Sequence, residues 1–440
     1  MRDRESEEHI HAVLAGIANR ARIDSKHRFG ALYTLLNKDL LRWSFYNLNR
    51  KAAPGVDGQY WVDYEQELEA NLDDLVDRLK RKAYRARLVK RHYIPKGKDS
   101  FRPLGLPVLE DKLLQYAVKT VLEAIYEEDF MDYSFGYRPG RSAKEASGEL
   151  AFRLQFGPFG WVVEADIKGF FDNINHEWML KMLEKRVHDR AFVHLIGKWL
   201  RAGVLEDLNT VIHPATGTPQ GGVISPILAN IYLHYALDMW FENEVKQTCD
   251  GEAMLLRYAD DFVCAFQYRR DAVRFYRNQL PERLHRFGLE LAPDKTRLVR
   301  FSRFGGDRNE RFEFLGFEFR QGLNRHLKPQ VKRRTARSRQ RRAMNDLTQW
   351  IKRNRHQGLR PLMATLIRKL RGHYNYYGVT HNSVSLWEYW KHVNQTVYKW
   401  LNRRSQRRSF TWRKFNAMFE RYNIPRPYIK ETSGRKRYAG

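Results

Sequence analysis

The chain has 440 residues, of which 42% are hydrophobic and 13% aromatic, so it is long enough for two or three folded domains and lacks the composition of a disordered protein. It carries 79 lysines and arginines against 51 acidic residues. The net charge of +28 predicts a polyanionic partner such as nucleic acid, with a basic ribosomal-type scaffold as the alternative. Two cysteines are too few for a four-thiolate zinc site or a disulfide framework, which favours a reducing cytoplasm. Neither a signal peptide nor a membrane-spanning helix is predicted, because prolines and glycines interrupt the longest uncharged stretch, residues 208–237.

The first part of the chain reads mainly as helices. Apolar residues recur at helical spacing between basic residues in residues 1–50, and a loop rich in turn formers follows at 53–58. An amphipathic helix of acidic character is predicted for 61–83. Residues 91–107 predict a strand, a basic glycine-containing loop and a proline-bounded turn, and a further helix is predicted for 112–126.

The middle of the chain contains buried strands. Residues 160–167 predict one that ends in a carboxylate, and residues 254–266 predict two apolar strands joined by a tight acidic turn. Helices are predicted at 177–201 and 271–287, and a hairpin at 312–319. Because strands and helices mix without regular βαβ alternation, the predicted fold class is α+β.

Three carboxylates stand at the ends of these predicted strands. Asp166 ends the first strand, and Asp260 and Asp261 occupy the turn between the two apolar strands. Paired aspartates are common in solvated turns, but carboxylates between such apolar flanks are costly to bury unless a cation compensates. Phosphoryl transfer from a nucleoside triphosphate needs a pair of Mg²⁺ ions held by a few carboxylates. The pattern therefore predicts a metal-dependent phosphoryl-transfer site.

Ordered sequence blocks around these carboxylates resemble reverse transcriptases, specifically the group II intron-encoded branch. The blocks ADIKGFFDNI (165–174), TPQGGVISPILAN (218–230) and YADD (258–261) resemble its catalytic region. RPLGLP (102–107) and YSFGYRPGR (133–141) resemble its fingers, and LELAPDKT (289–296) and FLGF (314–317) resemble its late palm blocks. The resemblance extends from about residue 50 to 320 and, more loosely, to 380. No paired cysteines follow, so the chain is similar to the compact bacterial type without an endonuclease domain.

This resemblance implies a right-hand polymerase with fingers, a palm built of an antiparallel sheet with helices, and a helical thumb. The implied domains are an N-terminal helical extension (1–50), reverse transcriptase fingers and palm (51–322), and a thumb or maturase region with a basic tail (323–440). The run at 325–342 holds nine lysines and arginines in eighteen residues and no acid. A solvated helix face is the alternative for this run, but its place predicts contact between thumb and duplex.

The resemblance also implies roles for individual residues. Asp166, Asp260 and Asp261 would bind two Mg²⁺ ions, with Mn²⁺ as the alternative ion, and Lys295 would complete the catalytic set by protonating the leaving pyrophosphate. Phe171 would be the steric gate against a ribose 2′-hydroxyl, with ordinary core packing as the alternative. The other implied contacts to the incoming nucleotide or template are Lys96, Arg102, Arg138 and Gln220.

The implied function is an RNA-directed DNA polymerase that copies RNA into cDNA and also, as a maturase, aids the splicing and mobility of its group II intron. Its partners would be an RNA template, a DNA or RNA primer, dNTPs and structured intron RNA, in the bacterial cytoplasm or with the nucleoid, and not a membrane. Two other functions stay open. One is a domesticated polymerase in phage defence, CRISPR spacer acquisition or DNA repair, and the other is an RNA-binding splicing factor with an inactive polymerase site.

Overall fold

The computed structural model of the protein describes residues 4–95, 101–206, 210–212, 216–218, 221–303, 310–404 and 409–431. Its strands are β1 (Val89–Pro95), β2 (Phe101–Leu106), β3 (Trp161–Asp166), β4 (Val204–Glu206), β5 (Thr210–Ile212), β6 (Ala253–Tyr258), β7 (Asp261–Phe266), β8 (Arg297–Arg300), β9 (Arg311–Phe314), β10 (Phe317–Leu323) and β11 (Pro329–Thr335). Its helices are α1 (Arg4–Ile23), α2 (Lys38–Asn47), α3 (Trp61–Gln66), α4 (Leu68–Lys80), α5 (Leu109–Tyr126), α6 (Ala143–Phe156), α7 (His176–Leu183), α8 (Arg190–Leu200), α9 (Ser225–Leu233), α10 (Lys246–Thr248), α11 (Arg269–Arg274), α12 (Leu280–Arg286), α13 (Arg337–Asn354), α14 (Leu359–Tyr377), α15 (Ser383–Leu401) and α16 (Trp412–Arg421).

The central sheet has four antiparallel strands in the order β6-β7-β3-β8. Val162, Val163, Val263 and Cys264 are fully buried in it, which is why β3 and β7 read as continuous apolar runs. The strand predicted at 160–167 and the two strands predicted at 254–266 are confirmed as β3, β6 and β7. Strands and helices occur without βαβ alternation, which confirms the α+β prediction.

A second sheet, in the order β2-β1-β4-β5, joins the predicted strand and turn of residues 91–107 to later parts of the chain. Strands β1 and β2 pair antiparallel from Lys90↔Leu106 to Pro95↔Phe101, while β1 and β4 pair in parallel. The helix α5 is buried along most of its length and packs against α1, α2 and α9. These helices form one hydrophobic core with the face of the central sheet.

A third sheet, in the order β11-β10-β9, follows the central one. The hairpin predicted at 312–319 is confirmed by β9 and β10, which pair from Phe314↔Phe317 to Arg311↔Arg320. The basic run at 325–342 is not one helix face, because residues 329–335 form β11 and α13 begins only at Arg337. The predicted domain boundary near residue 323 falls at the end of β10, inside its hairpin with β11.

Beyond this sheet, α13 to α16 pack around a hydrophobic core of their own, which includes Leu347, Leu366, Val393 and Phe415. One contact near the start of the two helices and one further along show that α13 and α15 run parallel. Gln340 donates to the carbonyl of Ser385 at 2.7 Å, and Thr348 lies 3.0 Å from Nε2 of His392. None of the helices that the structure describes is long and apolar enough to cross a membrane.

Candidate active site

The three predicted carboxylates meet at one end of the central sheet. Asp166 is the last residue of β3 and Asp261 the first of β7, and the register places their Cα atoms directly opposite each other. Asp260 lies in the tight turn between β6 and β7, next to Ala259, which adopts a left-handed conformation with φ of 56°. The pairing of β3 with β7, which are far apart in the sequence, therefore brings together the carboxylates that the sequence motifs present separately.

Burial and mutual repulsion make these carboxylates hard to ionise together. Burial raises the pKa of Asp260, and the negative charge of Asp166 raises it further. The Asp261 side chain is open to solvent on one side, but the protein around it raises its pKa to about 7, with added repulsion from Asp260 and Asp166. Asp166 is 9% exposed. Such a cluster favours a compensating cation.

A lysine supplies one positive charge to this cluster. The short 3₁₀ turn Pro293–Lys295 brings Nζ of Lys295 into an ion pair with Oδ2 of Asp166. The backbone joins the same segments, because the N–H of Ala292 donates to the carbonyl of Asp166 at 2.8 Å. The hydrogen bond to Asp166, together with the charges of all three aspartates, raises the pKa of Lys295. The structure thus brings Lys295 to the carboxylates, as the sequence predicts.

Phe171 lies beside the carboxylates in a 3₁₀ turn that follows Gly169. Its ring stands edge-on to the ring of Tyr137, with 6.3 Å between the centroids. Its carbonyl accepts the N–H of Thr218 at 2.8 Å, which fixes the turn. Burial raises the pKa of Tyr137, and the nearby charge of Asp260 raises it further. Tyr137 therefore joins Phe171 at the site, although the sequence did not single it out.

Arg102, on β2 of the second sheet, lies close enough to the candidate site for its charge to act there. Its positive charge acts on Asp260, Asp172 and Tyr137, lowering the pKa that burial raises in each of them. Lys96 and Gln220, the other two residues predicted on this side, lie outside the described residues. The chain that follows Gln220 is close to β2, because a Cβ on Gly221 would lie 2.8 Å from the carbonyl oxygen of Gly105.

The donors of the site suit a hard divalent cation, since carboxylate oxygens are its preferred ligands. Asp166 and Asp261 lie directly opposite each other on neighbouring strands. Within the described residues, no group of three or more His, Cys, Asp or Glu side chains is already arranged around one metal position. Two carboxylates with substrate phosphates suffice for Mg²⁺, so the donor set fits such an ion.

Comparison with known proteins shows which family has this arrangement of carboxylates and lysine. Residues 94–319 match the family described as reverse transcriptase (RNA-dependent DNA polymerase), and this stretch holds all three carboxylates and Lys295. The chain belongs to the reverse transcriptase family. Residues 340–418 of this reverse transcriptase also match the group II intron, maturase-specific domain. The resemblance seen in the sequence is confirmed, and the family's right-hand fold makes the central sheet the palm.

Curated relatives agree with this assignment. The chain is 30% identical over 385 residues to the group II intron-encoded protein LtrA of Lactococcus lactis, covering 74% of this chain and 62% of that protein. It is 33% identical over 294 residues to protein YkfC of Escherichia coli, covering 60% of this chain and 74% of that protein. The chain thus spans about three fifths of the length of LtrA. A telomerase structure from Candida tropicalis matches with a TM-score of 0.41 and 16% identity over 56% of this chain and 54% of that one, too distant a likeness to add to the assignment.

The reverse transcriptase family generally uses divalent metal ions, and the two matched domains imply RNA and nucleic-acid substrates. Arg138 is not brought to the carboxylates of this reverse transcriptase. Its side chain is buried and donates to Glu127 at 2.9 Å and to the carbonyls of Met131 and Ser134, each at 2.8 Å. These contacts hold the loop of residues 131–141, and the contact of Arg138 with substrate stays a prediction.

A buried network under the catalytic turn was missed by sequence reasoning. Arg257, Asp238 and Asn230 are all fully buried. The guanidinium of Arg257 donates to Oδ1 of Asn230 at 3.0 Å and to the carbonyl of Ala259 at 3.2 Å. Asn230 in turn donates to the carbonyl of Gly136 at 2.7 Å. The network therefore ties the turn that carries Asp260 to the loop that carries Tyr137.

Proposed function

We propose that this protein is an RNA-directed DNA polymerase that copies RNA into cDNA. The observation that carries the proposal is the pairing of Asp166 with Asp261 beside Asp260, with the ammonium of Lys295 on Asp166. A primer 3′-hydroxyl would attack the α-phosphorus of a dNTP, forming the new phosphodiester bond as the bond to pyrophosphate breaks. Charge stabilisation and positioning dominate such phosphoryl transfer, and this cluster offers both.

The metal cofactor we propose is a pair of Mg²⁺ ions, with Mn²⁺ as the alternative. Asp166, Asp260 and Asp261 would hold them through carboxylate oxygens, together with substrate phosphates. When bound, such ions lower the pKa of the attacking hydroxyl and neutralise charge on the leaving group. Burial is the main cause that raises the pKa of Asp261 to about 7, and the positive charge of the ions would oppose both burial and the added repulsion from Asp260 and Asp166.

Side chains around the carboxylates would select and hold the nucleotide. The ring of Phe171, held edge-on by Tyr137, would exclude a 2′-hydroxyl from the sugar site. Arg102 would bind the triphosphate through its planar guanidinium, and we extend this role to Lys96. Gln220 would contact the nucleotide or the template. Lys295 would donate a proton to the leaving pyrophosphate.

The second part of the proposal concerns RNA beyond the active site. The match of residues 340–418 to the maturase-specific domain supports a role in which the helices α13 to α16 bind a group II intron RNA and aid its splicing and mobility. The RNA would carry the splicing chemistry, and the protein would stabilise its fold. We place this activity in the bacterial cytoplasm, where the free Cys249 and Cys264 would stay reduced.

Primer extension on an RNA template with dNTPs and Mg²⁺ tests the polymerase. Wild type should make long cDNA, and Asp260→Ala should make none because a metal ligand is lost. Asp77→Ala is the matched control, since Asp77 is an exposed carboxylate paired with Arg81 on the surface of α4. Wild type that binds structured RNA tightly but makes no product would overturn the polymerase in favour of a splicing factor.

A further inference from the structure

The chain just before Gln220 is fastened to the turn that carries Phe171. We call residues 169–174 the gate turn and residues 216–218 the 216–218 segment. Three hydrogen bonds join them, each donated by the segment and accepted by a carbonyl of the turn: Gly217 N–H to Ile174 at 2.7 Å, Thr218 N–H to Phe171 at 2.8 Å, and the Thr216 hydroxyl to Asp172 at 3.0 Å. The distance between the segment and the gate turn is therefore set by direct hydrogen bonds.

His176, the first residue of α7, adds a side-chain contact to the same segment. Its Nε2 lies 2.6 Å from the carbonyl oxygen of Gly217, and the histidine is buried. Because a carbonyl oxygen can only accept, Nε2 carries the hydrogen and donates it. Both polar backbone groups of Gly217 are therefore engaged, the N–H by the gate turn and the carbonyl by the histidine.

The start of α7 does not need this histidine. Asn175 caps the helix, since its side chain accepts the N–H of Trp178 at 3.0 Å. Burying an imidazole where an apolar side chain would pack costs free energy, which its hydrogen bond has to offset. A buried ring that donates to a loop carbonyl, beside a helix start that is already capped, therefore serves the loop rather than the helix.

The 216–218 segment has no room to move closer to the gate turn. Gly217 has a φ of 93°, and a Cβ there would lie 2.8 Å from the carbonyl oxygen of Asp172. At the end of the segment, the buried hydroxyl groups of Thr218 and Ser225 lie 2.9 Å apart, which ties the segment to the start of α9. The chain that leads to Gln220 therefore starts from a point held by the gate turn, by α7 and by α9.

We propose that His176 is a positioning residue for nucleotide selection: its hydrogen bond to Gly217 holds the 216–218 segment at the distance from Phe171 that fits a deoxyribonucleotide. The histidine acts through the segment and not on the reacting atoms. This role rests on the proposed function, in which Phe171 excludes the 2′-hydroxyl and Gln220 contacts the nucleotide or the template. Without the hydrogen bond, the segment would move away from the gate turn, and the wider space would admit a ribonucleotide more readily.

The test compares His176→Met with His176→Gln in the full-length protein. Both side chains are unbranched and similar in length, but the glutamine amide keeps a donor near the position of Nε2 and methionine has none. The readout is the ratio of kcat/KM for a dNTP to that for the matching rNTP in single-nucleotide extension. His176→Met should lower this ratio by about three- to tenfold, the range of one ordinary hydrogen bond, while His176→Gln should stay within about twofold of wild type.

Controls separate this role from a role in folding. His194→Met is the matched control, since His194 is exposed on α8. If His176 only supports the fold, kcat/KM should fall in parallel for both nucleotides, and an unchanged ratio in His176→Met would overturn the proposal. An equal fall in the methionine and glutamine variants would assign the effect to the shape of the ring and also contradict it. If His176→Met does not fold, His176→Asn replaces it, because its shorter amide stops short of Gly217 and should lower the ratio in the same way.

Nucleotide binding without catalysis distinguishes a failure of this role from a failure of the proposed function. A primer that ends in a dideoxynucleotide cannot be extended, so the affinities of its complex with template and protein for dNTP and rNTP can be measured at equilibrium. Wild type that prefers dNTP in this complex but makes no cDNA would contradict the polymerase, and a weaker preference in His176→Met would still support the positioning role. Wild type that makes cDNA, with the same preference in every variant, would contradict the positioning role alone.

Discussion

Arg257 and Asp238 form a bidentate ion pair inside the palm, although both side chains are fully buried. Nε of Arg257 donates to Oδ1 of Asp238 at 2.8 Å, and Nη2 donates to Oδ2 at 2.6 Å. A buried ion pair adds little net stability, because desolvation offsets most of its attraction. The pair instead fixes the orientation of the guanidinium, so that Nη1 of Arg257 points toward Asn230 and the carbonyl of Ala259.

We therefore expect that substitutions at this pair can restore the stability of the protein without restoring its activity. Arg257→Met leaves the Asp238 carboxylate buried and unpaired, and should lower the free energy of unfolding by about 3–5 kcal/mol. Arg257→Met/Asp238→Leu should recover most of that loss, because no buried charge remains. Primer extension should stay low in both variants, since Ala259 has lost its donor. Denaturant unfolding and single-nucleotide kcat measure the two effects, and a double variant with wild-type kcat would contradict a positioning role.

The close packing of Gly136 on the catalytic turn makes a second prediction. A Cβ at Gly136 would lie 2.3 Å from the backbone nitrogen of Ala259. The backbone at Ala259 would have to shift to remove this clash, and the shift would displace the neighbouring Asp260. Gly136→Ala should therefore reduce kcat for nucleotide addition by tenfold or more while RNA binding stays near the wild-type value. Gly16→Ala is the control, because no heavy atom lies within 4 Å of its added Cβ. Equal kcat in the two variants would show that the turn tolerates the displacement.

The gate residue can be tested through sugar selection. Phe171→Ala should allow incorporation of rNTPs by removing the ring that excludes the 2′-hydroxyl, with the preference for dNTPs falling by about one to two orders of magnitude. Tyr137→Phe keeps the edge-on ring contact at 6.3 Å and should keep most of the preference. The ratio of kcat/KM for dNTP and rNTP measures both. An unchanged ratio in Phe171→Ala would assign the ring to core packing.

Sequence motifs singled out Asp166, Asp260, Asp261 and Lys295, which the structure brings together, because each sits in a short block whose chemistry is local. Their roles in catalysis stay predictions. The motifs could not reveal the network of Arg257, since its partner Asp238 lies 19 residues away in a helix with no motif of its own. Pairing at such distances depends on tertiary packing, which a one-dimensional pattern does not encode.

The burial and pairing of basic residues also could not be predicted from the sequence. Arg138 lies in a turn-rich block whose sequence gives no sign of burial, yet folding buries it against Glu127. The basic run at 325–342 carries no acid of its own, but Glu318 and Glu431 approach Arg334 and Arg333 from other segments. Net charge along the chain therefore overstates the charge left for a ligand.

Lys295 should affect the chemical step more than substrate binding. Lys295→Ala removes the ammonium that pairs with Asp166 and the proposed proton donor to pyrophosphate. General acids contribute about 10²- to 10⁴-fold, so kcat should fall by a factor in that range. Lys168→Ala is a matched control, because Lys168 pairs with Glu290 at 3.6 Å on the surface. A change in KM at constant kcat would instead indicate that Lys295 only binds the triphosphate.

Asp111 should make the stability of the protein depend on pH. Burial raises its pKa from 3.8 to about 6, while it accepts hydrogen bonds from the hydroxyl of Tyr84 and the N–H of Arg87. Between pH 4 and pH 6 the folded state therefore binds more protons at this group than the unfolded state, so its contribution to stability falls as pH rises. The loss across that window should be about 3 kcal/mol, from about 1.4 kcal/mol for each pKa unit.

The variant Asp111→Asn isolates this effect from other titrating groups. His234, whose pKa burial lowers to about 4, loses stability in the opposite direction, as pH falls from about 6.5 toward 4. Both proteins share that contribution, so the difference between their unfolding free energies should reflect Asp111 alone. Wild type should lose about 3 kcal/mol relative to the variant between pH 4 and pH 7 in denaturant titrations. A difference that does not vary with pH would mean that Asp111 keeps an ordinary pKa in the folded protein.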